Sequence, residues 1–257
     1  MIPFLTLLHR ELARFLKVIV QTVVTPLMSS FLYLLIFGVS LGSQISSYEN
    51  QSYLAFLIPG LMMMGLMNNA FQNSSSSIIA AKFSGDLEDL RVAPITHQEI
   101  LWAMSLGGLI RGALVAFISF IAGNLFIYLE KGEWLVVQHP FYLFFFVIVA
   151  GLLFSMIGIT VGFLTKSFDQ ISAFSTFILL PLTYLGGVFI SIDHLSSFWR
   201  SVSLFNPLLY MINGMRFGIL GYSDVNVFRA MVVSILGLLV FYFIALFSLK
   251  KGSFQRW

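Results

Sequence analysis

Long apolar runs separated by short polar stretches fill this chain. A hydrocarbon core about 30 Å thick takes roughly 20 helical residues. Runs of that length predict an all-α integral membrane protein with six transmembrane helices, at about 18–41, 53–81, 100–129, 141–164, 171–190 and 227–249. Pro59-Gly60 predicts a kink early in the second. Ahead of the first, Pro3 to Lys17 has a helical period. Phe4, Leu5, Leu8, Leu12, Phe15 and Leu16 share an arc of about 120°, with His9, Arg10, Arg14 and Lys17 on the other side. That distribution suits an interfacial helix lying among lipid headgroups; a frayed extension of the first span is the alternative. The segment 191–226, broken by Pro207, Gly214, Gly218 and Gly221, alternates polar and apolar positions.

Composition narrows the class. Of 257 residues, 58% are hydrophobic and 10% charged, and the mean hydropathy is +0.93. Soluble domains carry about 25% charged residues, so a water-soluble enzyme is excluded. The absence of cysteine excludes disulfides and thiolate metal sites. No small-residue cleavage site follows a short apolar core at the N-terminus, so the first apolar segment is expected to stay as a span. Placing the N-terminus, residues 82–99, the turn Thr165–Gln170 and the tail on one side gives that side nine Lys and Arg against four. The positive-inside rule then puts both termini and residues 82–99 in the cytoplasm, with 46–51 and 131–136 outside.

Enzyme motifs fail when tested. Gly38-Val39-Ser40-Leu41-Gly42 has the spacing of a nucleophile elbow, yet it ends an apolar helix instead of joining a strand to a helix. Gly107 and Gly112 have P-loop spacing, but Ala113-Leu114 stands where Lys and Ser/Thr must hold phosphate and Mg²⁺. His9, His97, His139 and His194 are too scattered for a metal site. No catalytic residue, cofactor, metal or nucleic-acid partner is expected of this chain. Gly151, Ser155, Gly158 and Gly162 form one small-residue helix face, and Gly108 and Gly112 another, for close packing within the chain or between copies.

Two polar regions remain. Asn68, Asn69, Gln72 and Asn73 lie in the second span, where amides must meet protein or water. They either bond neighbouring helices or line a substrate path. Every acidic residue reads as lying in a loop or near a helix end, which weighs against an ion-coupled secondary carrier, the alternative function. Residues 84–94 can form a short helix with Asp86, Glu88 and Asp89 at its positive end and Leu87 and Leu90 on one edge. Thr96-His97-Gln98-Glu99 is a capping box for the third span.

Tyr53-Leu54-Ala55-Phe56-Leu57-Ile58-Pro59-Gly60, the run Gly85-Asp86-Leu87-Glu88-Asp89-Leu90-Arg91-Val92-Ala93-Pro94-Ile95, and Asn206-Pro207-Leu208-Leu209-Tyr210 followed by Arg216 occur in order along the chain. Together they resemble the ABC-2 type transporter permeases, in particular the drug, nodulation-factor and YadH-like group. The resemblance implies a membrane subunit of a bacterial ABC exporter, in the inner membrane as a homodimer, with two copies of a separate ATPase that carries ATP and Mg²⁺. It implies a cytoplasmic coupling helix near 84–94 and re-entrant half-helices around 192–221. On that basis Asp86, Leu87, Glu88, Asp89, Leu90 and Arg91 are expected to dock on the ATPase, with the two leucines inserted. Substrate identity stays open among polysaccharides, lipids and drugs.

Overall fold

The structure, a computed structural model, describes residues 2–40 and 52–251. All regular structure among them is helical: α1 (Ile2–Leu16), α2 (Ile19–Tyr33), α3 (Tyr53–Ser84), α4 (Asp86–Val92), α5 (His97–Lys131), α6 (Pro140–Leu164), α7 (Phe168–Phe174), α8 (Leu180–Leu185), α9 (Ser197–Leu204), α10 (Pro207–Leu220) and α11 (Val227–Lys251). By length and apolar composition α3, α5, α6 and α11 can each cross a membrane. α2 continues into a π-helical stretch, Leu34–Ser40, and α7 is joined to α8 by another, Ser175–Leu179. The expected outer segment 46–51 and the tail beyond Lys251 lie outside the described residues.

α3 is the central post. It runs unbroken through Pro59, and 23 of its 32 residues are buried, mostly against α5 and α6. Glycine makes that approach possible. A Cβ on Gly158 of α6 would stand 2.5 Å from the Phe71 carbonyl oxygen, and one on Gly112 of α5 would stand 2.6 Å from that of Leu66. Both small-residue faces are therefore spent inside the chain. α11 is peripheral, with Phe228, Leu236, Phe243 and Phe247 exposed. Apolar side chains turned outward at that density are what lipid contact requires.

Helix ends follow local chemistry. Ser52 accepts from the Ala55 N–H to start α3. The capping box of α5 forms as expected: Thr96 Oγ1 accepts from the Glu99 N–H at 3.2 Å, and Glu99 Oε2 accepts from the Thr96 N–H at 2.9 Å. The fifth apolar run departs from expectation. It is helical from Phe168 and stops at Leu185, because Gly187 takes a positive φ of 83°. Residues 188–190 then turn back over the start of α3, where Tyr53 Oη donates to the Phe189 carbonyl at 2.8 Å.

α1 also departs from a simple amphipathic helix. Its face against the protein carries Leu7, Glu11 and Phe15, while Leu5 and Leu16 are exposed. The apolar arc is thus divided between two surroundings, and a carboxylate lies in the middle of the packed face. Glu11 corrects the expectation that acidic residues occur only in loops and at helix ends: it is mid-helix and fully buried.

Candidate functional site

The nine accessible residues of α3 form a pattern. Met64, Gly65, Asn68, Asn69, Gln72, Ser76 and Ala80 recur every three or four residues along one side, which Phe83 and Ser84 continue at the exposed end of the helix. The middle of this open side therefore carries Asn68, Asn69, Gln72 and Ser76. It faces a cavity of about 810 Å³, walled by Arg14 and Phe15 of α1, Thr25 and Pro26 of α2, Arg111 of α5 and Phe168 of α7.

The stripe's amides are half committed. Asn68 donates to the Met64 carbonyl at 3.1 Å and Asn69 to the Gly65 carbonyl at 3.0 Å, each within its own helix. Asn68 Oδ1 also accepts from Ser175 Oγ at 3.5 Å. Asn68, Asn69 and Gln72 thus stand together on the cavity, whereas Asn73 does not. Asn73 is fully buried beside Gly107, and neither side-chain polar atom has a hydrogen-bond partner among the described residues. One helical step of about 100° takes it round the edge of the stripe.

A charged knot joins α1 to α3 beside the cavity. Glu11 Oε1 accepts from Ser77 Oγ at 2.7 Å and its Oε2 from Arg14 Nη2 at 3.2 Å. Arg14 also donates to Ser76 Oγ at 3.1 Å and to the Asn73 carbonyl at 2.6 Å. These bonds seat the carboxylate in the packed face, where an unpaired charge would be strongly destabilising. Sequence reading missed Glu11, whose only signal was its position three residues before Arg14 on a helix.

The α4 region is built as a brace. Leu87 is fully buried within this chain, alongside Ile78, Ala81, Ile100 and Leu101. In this chain by itself Leu87 anchors α4, and Leu90, about 60° round the helix, is only partly covered. Asp86, Glu88 and Asp89 are exposed, Arg91 lies within the helix, and Val92 is 85% exposed. Arg10 reaches Asp86 at 3.9 Å.

Just before α4, Lys82 is buried and donates to three carbonyls at the end of α6: Gly162 at 2.9 Å, Phe163 at 2.7 Å and Thr165 at 3.1 Å. An ammonium there satisfies otherwise unpaired helix-end carbonyls and complements the helix dipole. Phe83 stacks on Phe168 of α7 at 6.0 Å. These contacts tie the end of α3, immediately before α4, to α6 and α7.

At the opposite end of α3, Arg216 of α10 is fully buried. It donates to the Gly187 carbonyl at 2.7 Å and to Asn213 Oδ1 at 3.2 Å, lies 3.7 Å from Asp224, and covers the Phe56 ring at 3.8 Å. This ties α10 to the start of α3. No group of three or more metal-ligating side chains occurs among the described residues.

Comparison with known proteins places these features in a family. The family described as "ABC-2 type transporter" matches residues 3–220. The chain is 37% identical to the inner membrane transport permease YadH of Escherichia coli K12 over 247 residues, covering 96% of this chain and 94% of that protein. It is similar to nodulation protein J of Rhizobium leguminosarum bv. viciae, at 22% identity over 98% of this chain and 94% of the other. A second nodulation protein J, from Rhizobium leguminosarum bv. trifolii, is 24% identical over 93% of this chain and 88% of the other.

Proposed function

The chain belongs to the ABC-2 type transporter family, and from that premise we propose that it is the permease subunit of an ATP-driven exporter. It works as a homodimer with two copies of a separate ATPase, in a bacterial inner membrane. A permease role agrees with the names of its relatives, one of which is an inner membrane protein by name. The observation that carries the reading is the stripe of α3. In lipid an exposed helix face should be apolar, so a stripe bearing Asn68, Asn69, Gln72 and Ser76 over a large cavity suits a water-filled path.

In this account the chain spans the membrane six times. α2 with its π-helical continuation measures about 33 Å and Phe168–Leu185 about 27 Å at 1.5 Å per residue, each close to one bilayer core. Both termini and α4 face the cytoplasm, as the Lys and Arg distribution favours, and α9 and α10 enter the outer leaflet. The ATPase engages α4 through Asp86, Glu88, Asp89, Leu90 and Val92 from a complementary basic groove. ATP-driven closure moves α4, and the Leu87 and Lys82 contacts carry the movement to the helices around the path.

The test is co-expression with an ABC ATPase encoded in the same gene cluster, then purification. The complex should hydrolyse ATP, and the isolated chain should neither bind nor hydrolyse it. The reading fails if the ATPase does not associate, or if an ion gradient alone drives solute movement in liposomes. The second outcome would favour an ion-coupled carrier, in which buried Glu11 would be the natural coupling group.

A further inference from the structure

Arg111 lies about 21 Å along α5 from its N-terminus and about 30 Å from its C-terminus at 1.5 Å per residue. The helix around it is apolar enough to cross a membrane. Among the described residues Arg111 has no ion-pair partner, and its Nε is buried without a hydrogen bond. Other charge near the cavity comes from the α1 side. Arg14 faces it, while Arg10, Lys17 and Asp86 line an adjoining groove with Glu11. Glu11 is already engaged by Arg14 and Ser77, and Asp86 lies beside Arg10. α2 and α3 contribute amides and hydroxyls to the cavity wall but no charge. The cavity thus keeps an uncompensated positive charge at a depth where a guanidinium is stabilised only by water, protein or a bound anion.

The cavity also has a direction. Through Thr25, Pro26, Asn68 and Asn69 it continues into a hollow of about 170 Å³. Tyr33 also borders another hollow, of about 350 Å³, walled by Phe37, Tyr184, Leu185, Phe189 and Ile190. The groove is cationic and hydrogen-bonding at one end and aromatic at the other.

We propose that this groove binds an anionic amphiphile. Its phosphate or carboxylate head lies on Arg111 and Arg14, the amides of Asn69 and Gln72 hydrogen-bond the same head, and its apolar body runs toward Tyr33 and Phe189. The proposal rests on the permease reading and names the substrate class of that path. Arg111 is the specificity-determining residue, because its guanidinium has no other charge to satisfy.

The full chain, purified in dodecyl maltoside, is titrated calorimetrically with dodecyl phosphate, inorganic phosphate and dodecyltrimethylammonium. Dodecyl phosphate should bind at least about tenfold more tightly than either of the others, and Arg111→Gln should weaken it at least about tenfold. Arg111→Lys should recover part of the loss, and Arg200→Gln, at a distant exposed ion pair with Asp193, should bind as the unaltered chain does. Equal binding by Arg111→Gln overturns the proposal. So does inorganic phosphate binding as tightly as the amphiphile, which would indicate a free-anion site, or equal binding of the cationic amphiphile. No ATPase takes part in this titration, so its failure leaves ATPase coupling standing, and failed ATPase association leaves the binding result intact.

Discussion

Arg216 and Arg111 both lie within apolar helices, and their surroundings differ in kind. Arg216 is closed in: a carbonyl, an amide, a carboxylate and an aromatic ring meet it, and it has no accessible surface. Arg111 opens on a large cavity and has no ion-pair partner among the described residues. A buried charge met by a carboxylate, a carbonyl and an amide fixes one arrangement of neighbouring elements. One left facing a cavity adds nothing to that fixing and is free to meet a ligand. The contrast separates the α10 end, where polar groups hold α3 still, from the α1–α5 side, where polar groups wait on a groove.

Substitution should turn this contrast into opposite outcomes. Arg216→Ala leaves Asp224 buried without its cation, which costs about 3–5 kcal/mol. It should reduce the yield of monodisperse protein and lower the unfolding temperature in detergent. The paired change Arg216→Met with Asp224→Asn should restore part of both.

The α4 region can be divided the same way. Leu87→Ala removes a fully buried side chain and should destabilise the chain by about 2–5 kcal/mol, whereas Leu90→Ala should leave thermal stability nearly unchanged and weaken ATPase co-purification. Equal effects from the two would mean that α4 does not divide into an anchored and a docking face.

Lys82→Met removes one donor from three carbonyls at the end of α6 and should cost about 1.5–3 kcal/mol. Lys82→Arg should recover some of that stability, measured as the fraction surviving a heat step before size exclusion. The smallest stability effect is expected at Arg111. Arg111→Gln should change stability by no more than about 0.5 kcal/mol, or raise it, because it removes an uncompensated cation. A large loss would place Arg111 with Arg216 as a structural residue and erase the contrast.

Much of the framework was legible in the sequence, since span length and apolar composition are local properties. The α5 capping box and the short helix before Pro94 rest on spacings of three or four residues and are present. What was hidden depends on neighbours distant in sequence. Leu87 and Leu90 carry the same local signal, and only the packing of Ile78 and Leu101 shows which is covered. Polarity alone groups Asn73 with Gln72, although Asn73 faces the core and Gln72 the cavity. Glu11 was hidden because Ser77, which with the nearby Arg14 makes its burial tolerable, is brought to it by helix packing that hydropathy does not encode. The run 188–190 has the apolarity of a helix, and the positive φ of Gly187 decides otherwise.

The central claim is that the stripe of α3 faces water while the packed side of that helix is sealed. The chain contains no cysteine, so single cysteines can be placed at Asn69, Gln72 and Ser76 on the stripe and at Ala70, Ser74 and Ser75 on the packed side. Each variant is treated in membranes with a small, water-soluble methanethiosulfonate, which reacts with hydrated thiolate. Reaction at all three stripe positions, with protection at the three packed ones, is the expected result. Protection of the stripe to the same degree as the packed side would contradict a water-filled path along α3.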